Sequence, residues 1–286
     1  MDRYEVNLAL VLLGAGLFLA ERRAALRRRT RPVLGRLLVN AGTATLAFVA
    51  AIWVVRPAAL AVLRSTSEAP FGLIHIVPLP PAVRFVVAFL LMDLLFYWWH
   101  LANHRISFLW RFHNVHHIDP DLDVSTALRF HFGEIAMSAG FRALQIGVIG
   151  LSAPMFAAYE VAFQANTLFH HSNVRLPIGV ERWLALVLVT PRMHGIHHSQ
   201  AIDEANSNYS VVFSWWDRLH RTIGLNVAQA DIVVGVPAYS RPADNTIVNT
   251  MLLPFRRQRP YWLLPDGTPV GRRSAANSID RSHLAE

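Results

Sequence analysis

Residues 85–117, FVVAFLLMDLLFYWWHLANHRISFLWRFHNVHH, decide the fold. The stretch 85–99 is apolar apart from Asp93 and ends in Tyr97, Trp98 and Trp99, an aromatic girdle of the kind found at a membrane–water boundary. His100 and His104 follow four residues apart, so a helix running out of the span carries both on one face. His113, His116 and His117 then form His-x2-His-His, again on one helical face. An apolar span that delivers histidines at its mouth is the theme of the chain.

Working outward, residues 6–20 and 37–55 are two further apolar stretches, the second stopped by Arg56. Segments 135–151 and 155–169 are separated only by Ser152, Ala153 and Pro154, which reads as a tight helical hairpin. Several of these fall short of the ~20 residues that span a bilayer, so tilt or re-entry is expected. The composition agrees. Of 286 residues 53% are hydrophobic and 16% charged, against about 25% charged in soluble domains. Disordered and collagen-like chains are excluded by the same figures. There is no cysteine, which excludes disulfides, thiolate zinc sites and cysteine-ligated iron–sulfur clusters.

All 27 basic residues are arginine, a bias that resembles codon usage more than nucleic-acid binding, and no nucleic-acid partner is expected. Seven of them crowd residues 22–36, between the first two apolar stretches. A basic block after the first stretch argues for an anchor helix rather than a cleaved signal peptide. Beside an apolar span it marks the cytoplasmic side. From that assignment the second span exits, the third returns with His100 at its cytoplasmic end, and the hairpin goes out and back. His131, His170 and His171 then arrive on the same face. The expected fold is therefore all-α: a polytopic membrane bundle with a cytoplasm-facing, histidine-rich di-metal cap. Residues 1–64 are read as anchor helices, 65–225 as the metal-binding unit, and 226–286 as a peripheral segment with a disordered end.

Eleven of the 14 histidines lie between positions 100 and 198, and His194, His197 and His198 repeat the His-x2-His-His spacing. Neutral imidazole is a strong ligand for iron, zinc and copper, and this spacing lets one helix present several rings. Interfacial histidines satisfied by water would leave the duplicated triplet unexplained. Eight or more converging rings are too many for one tetrahedral zinc and suit two metal ions with open positions. The Glu plus Glu-x-x-His pattern of carboxylate-bridged di-iron bundles is missing.

The order and spacing resemble the fatty acid hydroxylase / sterol desaturase superfamily of membrane di-iron oxygenases. The resemblance runs from Asp93 to Thr222, somewhat under half of the chain. It is carried by Asp93, His100-x3-His104, Leu109-Trp110-Arg111-Phe112-His113, His116-His117, and Arg129, His131 and Glu134. It continues through Phe169-His170-His171-Ser172-Asn173, Pro191-Arg192-Met193-His194-Gly195-Ile196-His197-His198, Asn208-Tyr209 and Trp216-Asp217-Arg218-Leu219. Where the family continues Phe-Gly-Thr, this chain has His220-Arg221-Thr222, so His220 reads as a local substitution rather than a ligand.

The resemblance implies a di-iron centre using O2 to hydroxylate or desaturate an unactivated C–H bond of a lipid-like substrate such as a sterol, fatty acyl chain, alkylglycerol or carotenoid. Its implied ligands are His100, His104, His113, His116, His117, His170, His171, His194, His197 and His198. Asp93, His131, Asn166 and Asp217 are candidates for holding those ligands or a metal-bound water, because ligating histidines need acceptors for their other N–H. Glu160 and Asp203 are considered for the same role; an intramembrane carboxylate such as Glu160 needs a partner, and Arg142 is the one at hand. Without a nucleotide-binding fingerprint or an iron–sulfur centre, electrons must come from a separate carrier or reductase, and the basic face would guide an acidic one. Two other classes are weighed: a zinc-dependent membrane hydrolase, and a metal transporter with histidines lining its path. The collection of histidines at one side argues against the transporter.

Overall fold

The computed structural model describes residues 3–270. Among them there is no β-strand, only four isolated bridges. The apolar stretch at the start forms α1 (Arg3–Arg23), with no proline to interrupt it and two arginines in its last turn. Next, α2 (Val33–Ala50) runs through a π-helical turn, Ala51–Val55, into α3 (Arg56–Glu68). Arg56 therefore does not stop the second span. Pro57 lacks an N–H and would break a regular α-helical ladder. The extra residue of the π turn, closed by the Arg56 N–H on the Ala51 carbonyl, re-registers the ladder just before it.

The decisive stretch is α4 (Pro81–Arg105), which contains the apolar run and both His100 and His104. Ile106 alone adopts an extended conformation, and α5 (Ser107–His117) starts immediately after it. The hairpin is α6 (Phe132–Ile149) and α7 (Ala153–His171). Its turn, residues 150–152, lies two residues earlier than the Ser152-Ala153-Pro154 reading. Gly150 closes α6 in the left-handed region at φ 86°, and Pro154 sits in the first turn of α7, where its missing N–H is harmless. Short helices follow: α8 (Ile178–Leu184), α9 (Pro191–His197), α10 (Ile202–Ala205), α11 (Trp215–His220) and α12 (Ile247–Leu252).

Among the described residues three segments are long and apolar enough to cross a membrane: Tyr4–Arg23, Val33–His75 and Pro81–Arg105. The hairpin helices are not among them. Leu8, Val11, Leu12, Leu38, Ile52 and Trp53 stand exposed on α1, α2 and the π turn, as side chains facing lipid would. Inside, Ala88, Met92 and Phe96 of α4 pack with Ile146 and Ile149 of α6 and Tyr159 of α7. A second cluster joins Trp110, Val115 and Ile118 to Val236, Ala238, Tyr239 and Leu253, so the described part of the C-terminal segment lies directly against α5. The expected disordered end falls mostly on 271–286, outside the described residues.

The arginine block is not a freely solvated run. Arg36 is buried, with Nε 2.7 Å from Asp119 Oδ1 and Nη1 2.6 Å from Asp123 Oδ2. Arg27 is buried and donates to the Pro191 carbonyl at 3.1 Å and to Gln229 Oε1 at 2.6 Å. Glu21, at the end of α1, accepts from the backbone N–H groups of Asn173 and Val124. These bonds tie the ends of α1 and α2 to the segments that flank the histidines, so the arginine block and the histidine clusters share one end of the bundle.

Candidate metal centre

The histidines converge into two groups. His100 and His104 from α4, His113 and His117 from α5, and His197 from α9 form the first. His116 of α5, His171 of α7, and His194 and His198 at α9 form the second. Within each group one ring nitrogen per residue lies within 4.8 Å of all the others. The groups adjoin: the rings of His117 and His198 stack, with centroids 4.3 Å apart and planes at 15°.

Each His-x2-His-His triplet is split between the groups. The i, i+4 pair His113/His117 goes to the first and His116 to the second; His194/His198 go to the second and His197 to the first. A triplet at this spacing still spans about 100° of the helix circumference, and two centres side by side can divide it.

Backbone and side-chain acceptors fix the ring tautomers. The Nδ1–H of His100 donates to the Tyr209 carbonyl at 2.7 Å, that of His197 to the Ser207 carbonyl at 2.7 Å, and that of His113 to Glu134 Oε1 at 2.8 Å. An acceptor-only partner requires the proton on Nδ1, which leaves the Nε2 lone pair pointing inward. The Nε2 atoms of His104, His113, His117 and His197 are buried with no hydrogen-bond partner among the described residues. In the second group, His116 Nδ1 donates to the Arg129 carbonyl at 3.1 Å and His171 Nδ1 to the Thr167 carbonyl at 2.8 Å. Their Nε2 atoms are 3.0 Å apart, and further Nε2 contacts link His171 to His194 at 2.9 Å and His194 to His198 at 3.0 Å. Between His116 and His171, two inward-facing lone pairs with no proton between them suit a metal cation.

Burial keeps the rings in ligand form. It holds His116, His117, His194 and His198 well below the ordinary imidazole range, with neighbouring imidazoles adding to the shift. His197 is pushed down to about 3 by burial, against the opposing effect of its bond to Ser207.

The other sequence candidates fall around this pair of groups. His170 is in neither: its Nδ1 faces Asn166 Nδ2 at 3.3 Å. Asn166 also donates to the Val211 carbonyl at 2.5 Å, so its amide braces the hairpin against the 211 loop. His131 caps α6, accepting from Gly133 N at 2.9 Å, while its Nε2 meets the Met251 carbonyl at 3.1 Å. Asp93 touches no clustered imidazole. It accepts from Phe213 N, Trp216 Nε1, Tyr159 Oη and Val212 N, pinning the 212–216 segment to α4. Asp217 acts one bond back, holding Tyr209 N at 2.8 Å while the Tyr209 carbonyl receives His100. Glu160 pairs with Arg142, as expected. Asp203 is exposed on α10.

His220 stacks on Tyr97 at 4.5 Å and is not a member of either group. Arg221 beside it adopts φ 58°, a left-handed position for which the family's usual glycine is the natural choice. The carboxylate that does reach a clustered ring is Glu134. Its signal was local: three residues beyond His131, in the first turn of the helix that packs beside α5.

An apolar cavity of about 190 Å³ abuts both groups. His100 and His113 of the first group and His116, His171 and His194 of the second line it, with His170 beside them. Its other walls include Ala44, Ala47 and Ala51 from α2 and the π turn, Phe96 and Trp99 from α4, and Phe163 from α7. The small side chains on α2 leave the space that larger ones would fill.

Residues 85–222 match the fatty acid hydroxylase family model. Ornithine lipid hydroxylase OlsE of Rhizobium tropici is 31% identical over 140 residues, covering 49% of this chain and 41% of that protein. Human alkylglycerol monooxygenase is 33% identical over 138 residues, 47% of this chain and 29% of the relative. Mouse cholesterol 25-hydroxylase is 26% identical over 144 residues, 48% and 46% respectively. The chain thus spans less than half the length of each of these relatives. No solved structure matches it significantly.

Proposed function

Because residues 85–222 match the fatty acid hydroxylase family model, we propose that this protein is an O2-dependent, non-haem di-iron membrane monooxygenase that hydroxylates an unactivated C–H bond of a lipid-like substrate. The observation that carries this reading is the adjacency of two histidine groups and one apolar cavity that touches both. The nine clustered histidines would hold two iron ions, five on the first and four on the second. Bound iron would supply reductive activation of O2 and attack on the C–H bond.

The chain's own residues do the rest. Tyr209, Ser207, Arg129, Thr167 and Glu134 hold five imidazoles in the ligating tautomer. Phe96, Trp99 and Phe163 exclude water from the cavity and press an apolar chain towards His100 and His116. At about 190 Å³ the cavity is smaller than the 300–1,000 Å³ that encloses a drug-sized ligand. That size favours one linear segment of an acyl or alkyl chain, with the body of the lipid left in the bilayer. His170 would line the substrate's path rather than bind metal.

Electrons would come from a separate acidic carrier or reductase approaching the basic end. The positive-inside rule supports a cytoplasmic position for that end, and the arginine-only composition suits a bacterial inner membrane. Residues 65–225 would form the catalytic unit.

The test is metal content and Mössbauer spectroscopy on protein purified in mild detergent from iron-supplied cells, followed by turnover with membrane lipids under ¹⁸O2. About two coupled irons per chain, with one ¹⁸O atom in a lipid product, is the expected result. A single zinc, or product oxygen drawn from water, would overturn the proposal in favour of a hydrolase.

A further inference from the structure

A second cavity, of about 980 Å³, opens on the arginine block and shares no residue with the cavity at the histidines. Arg27, Arg28, Arg29, Arg31 and Arg175 line it. Its only carboxylate is Asp121, whose oxygens already accept from Thr30 N at 2.8 Å, Thr30 Oγ1 at 2.9 Å and Arg31 N at 3.0 Å. Two of the cations are loosely held: Arg28 and Arg175 are exposed, with no side-chain partner among the described residues. Arg27 is different. It is 7% exposed, its Nε and Nη2 have no hydrogen-bond partner, and no carboxylate lies within ion-pair distance of it among the described residues. A buried guanidinium left without an anion is costly.

The arginines are held in place by backbone, not displayed on a loose loop. Ala25 pairs with Val174, with Leu26 N bonded to the Asn173 carbonyl at 2.7 Å and Arg175 N to the Ala24 carbonyl at 2.8 Å. The side chain of Asn173 clasps both the N–H and the carbonyl of Arg27. Asp121 pins the loop at Thr30 and Arg31. Five guanidinium-bearing residues are thus preorganised around one concavity, and preorganisation lowers the entropy lost on binding. Opposite them the wall is apolar, formed by Ile118, Leu122, Val236 and Tyr239. The cavity is lined by residues 25–31, the connection between α1 and α2, two helices long and apolar enough to cross a membrane.

We propose that this cavity is a binding site for an anionic phosphate group, received by Arg27, Arg28 and Arg175 at the histidine-bearing end of the bundle. Planar guanidinium forks match phosphate oxygens. The apolar wall suits the glycerol and first methylenes of an anionic phospholipid, and the same chemistry would accept a soluble phosphate ester. An acidic protein surface would meet Arg28 and Arg175 but could not reach buried Arg27. Occupation would also bear on the metal centre, because Arg27 bonds the Pro191 carbonyl at the start of α9 and lies against Gly195 between His194 and His197.

Delipidated full-length protein in detergent is titrated with phosphatidylglycerol and with phosphatidylcholine, and separately with inorganic phosphate and glycerol 3-phosphate. Native mass spectrometry counts the bound molecules. One phosphatidylglycerol per chain, held at least tenfold tighter than phosphatidylcholine, identifies a lipid site; equal binding of glycerol 3-phosphate identifies a soluble ligand. The double variant R28Q/R175Q, whose side chains are exposed, should weaken binding roughly twenty-five-fold, at about five-fold per arginine near the headgroups. R27Q should abolish the preference, with its circular dichroism and metal content reporting that the chain has folded; where it fails to fold, the exposed double variant decides. Indifference of all four probes to R28Q/R175Q, equal binding of the two lipids with no phosphate effect, or binding of an acidic protein alone would overturn the proposal.

Discussion

The Nε2 atoms of His116 and His171 lie 3.0 Å apart, and neither carries a proton, because each ring spends its Nδ1–H on a backbone carbonyl. Two lone pairs facing one another in a buried site repel until a cation enters between them or one ring is protonated. Burial opposes protonation at His116. The stability of this buried pair therefore depends on whether a cation or a proton lies between the rings, which makes it sensitive to pH.

In the unfolded chain the clustered histidines take up protons near 6.5, whereas His197 in the fold resists until about 3. A depressed folded-state value means its contribution to stability is fully present above 6.5 and is lost as pH falls towards 3. Taking metal-free protein from about pH 7.5 to about 5.5 should cost about 1 kcal/mol for each ring that stays neutral. Thermal unfolding in detergent after chelation reads this directly. A midpoint that does not move over that range would show the rings to be solvated instead.

The split of the triplets makes a stoichiometric prediction. H117A should deplete the first metal position and H198A the second, each lowering iron from about two to about one per chain. H170A should retain both irons and lower activity only through the substrate path. Inductively coupled plasma analysis of the three variants checks this, and loss of iron in H170A equal to that in H198A would refute the assignment.

Glu134 is the carboxylate that directly holds a clustered imidazole, 2.8 Å from His113 Nδ1. Removing such a partner typically weakens metal binding 10–100-fold. E134A should show this loss in competition with a chelator. E134Q keeps an acceptor oxygen and should lose less. Equal affinity in wild type and E134A would show that the contact does not support the ligand.

Arg36 bridges Asp119 and Asp123 from inside the protein. Burial alone would raise the Asp119 carboxyl, yet the Arg36 and Arg129 charges bring it down to about 2. Arg36→Met strands both carboxylates and should destabilise the fold by about 3–5 kcal/mol. A shift below 1 kcal/mol in chemical or thermal unfolding would mean that water reaches the network.

Much of this was legible in the chain itself. Helical spacing predicted that His100 and His104 would share a face, and that the triplets at 113–117 and 194–198 would be presented as units, because periodicity is a local property. The apolar runs at 6–20, 37–55 and 85–99 marked the three candidate membrane-crossing segments, whereas the hairpin runs at 135–151 and 155–169 do not qualify as such, and the π turn that carries the second segment past Arg56 depends on how Pro57 is accommodated in the ladder. A partner for Glu160 followed from the cost of an isolated charge, and Arg142 is that partner. Roles that depend on a second element were harder to read. Asp93 was one of several residues weighed for holding a metal ligand, and an acid in a span needs donors. Those donors prove to be the Tyr159 hydroxyl and, more than a hundred positions away, backbone and indole N–H groups from residues 212–216.

The sequence alone determined the apolar segments long enough to cross a membrane and the number and spacing of the imidazoles, because length, hydropathy and helical periodicity are local properties. Tertiary structure decided which histidine joins which group, that Glu134 rather than Asp93 steadies one of them, and that Arg27 and Arg36 turn inward. Those outcomes rest on the packing of α4, α5, α7 and α9 against one another. A helix dictates the angle between its own side chains, but only its neighbours decide which of them meet.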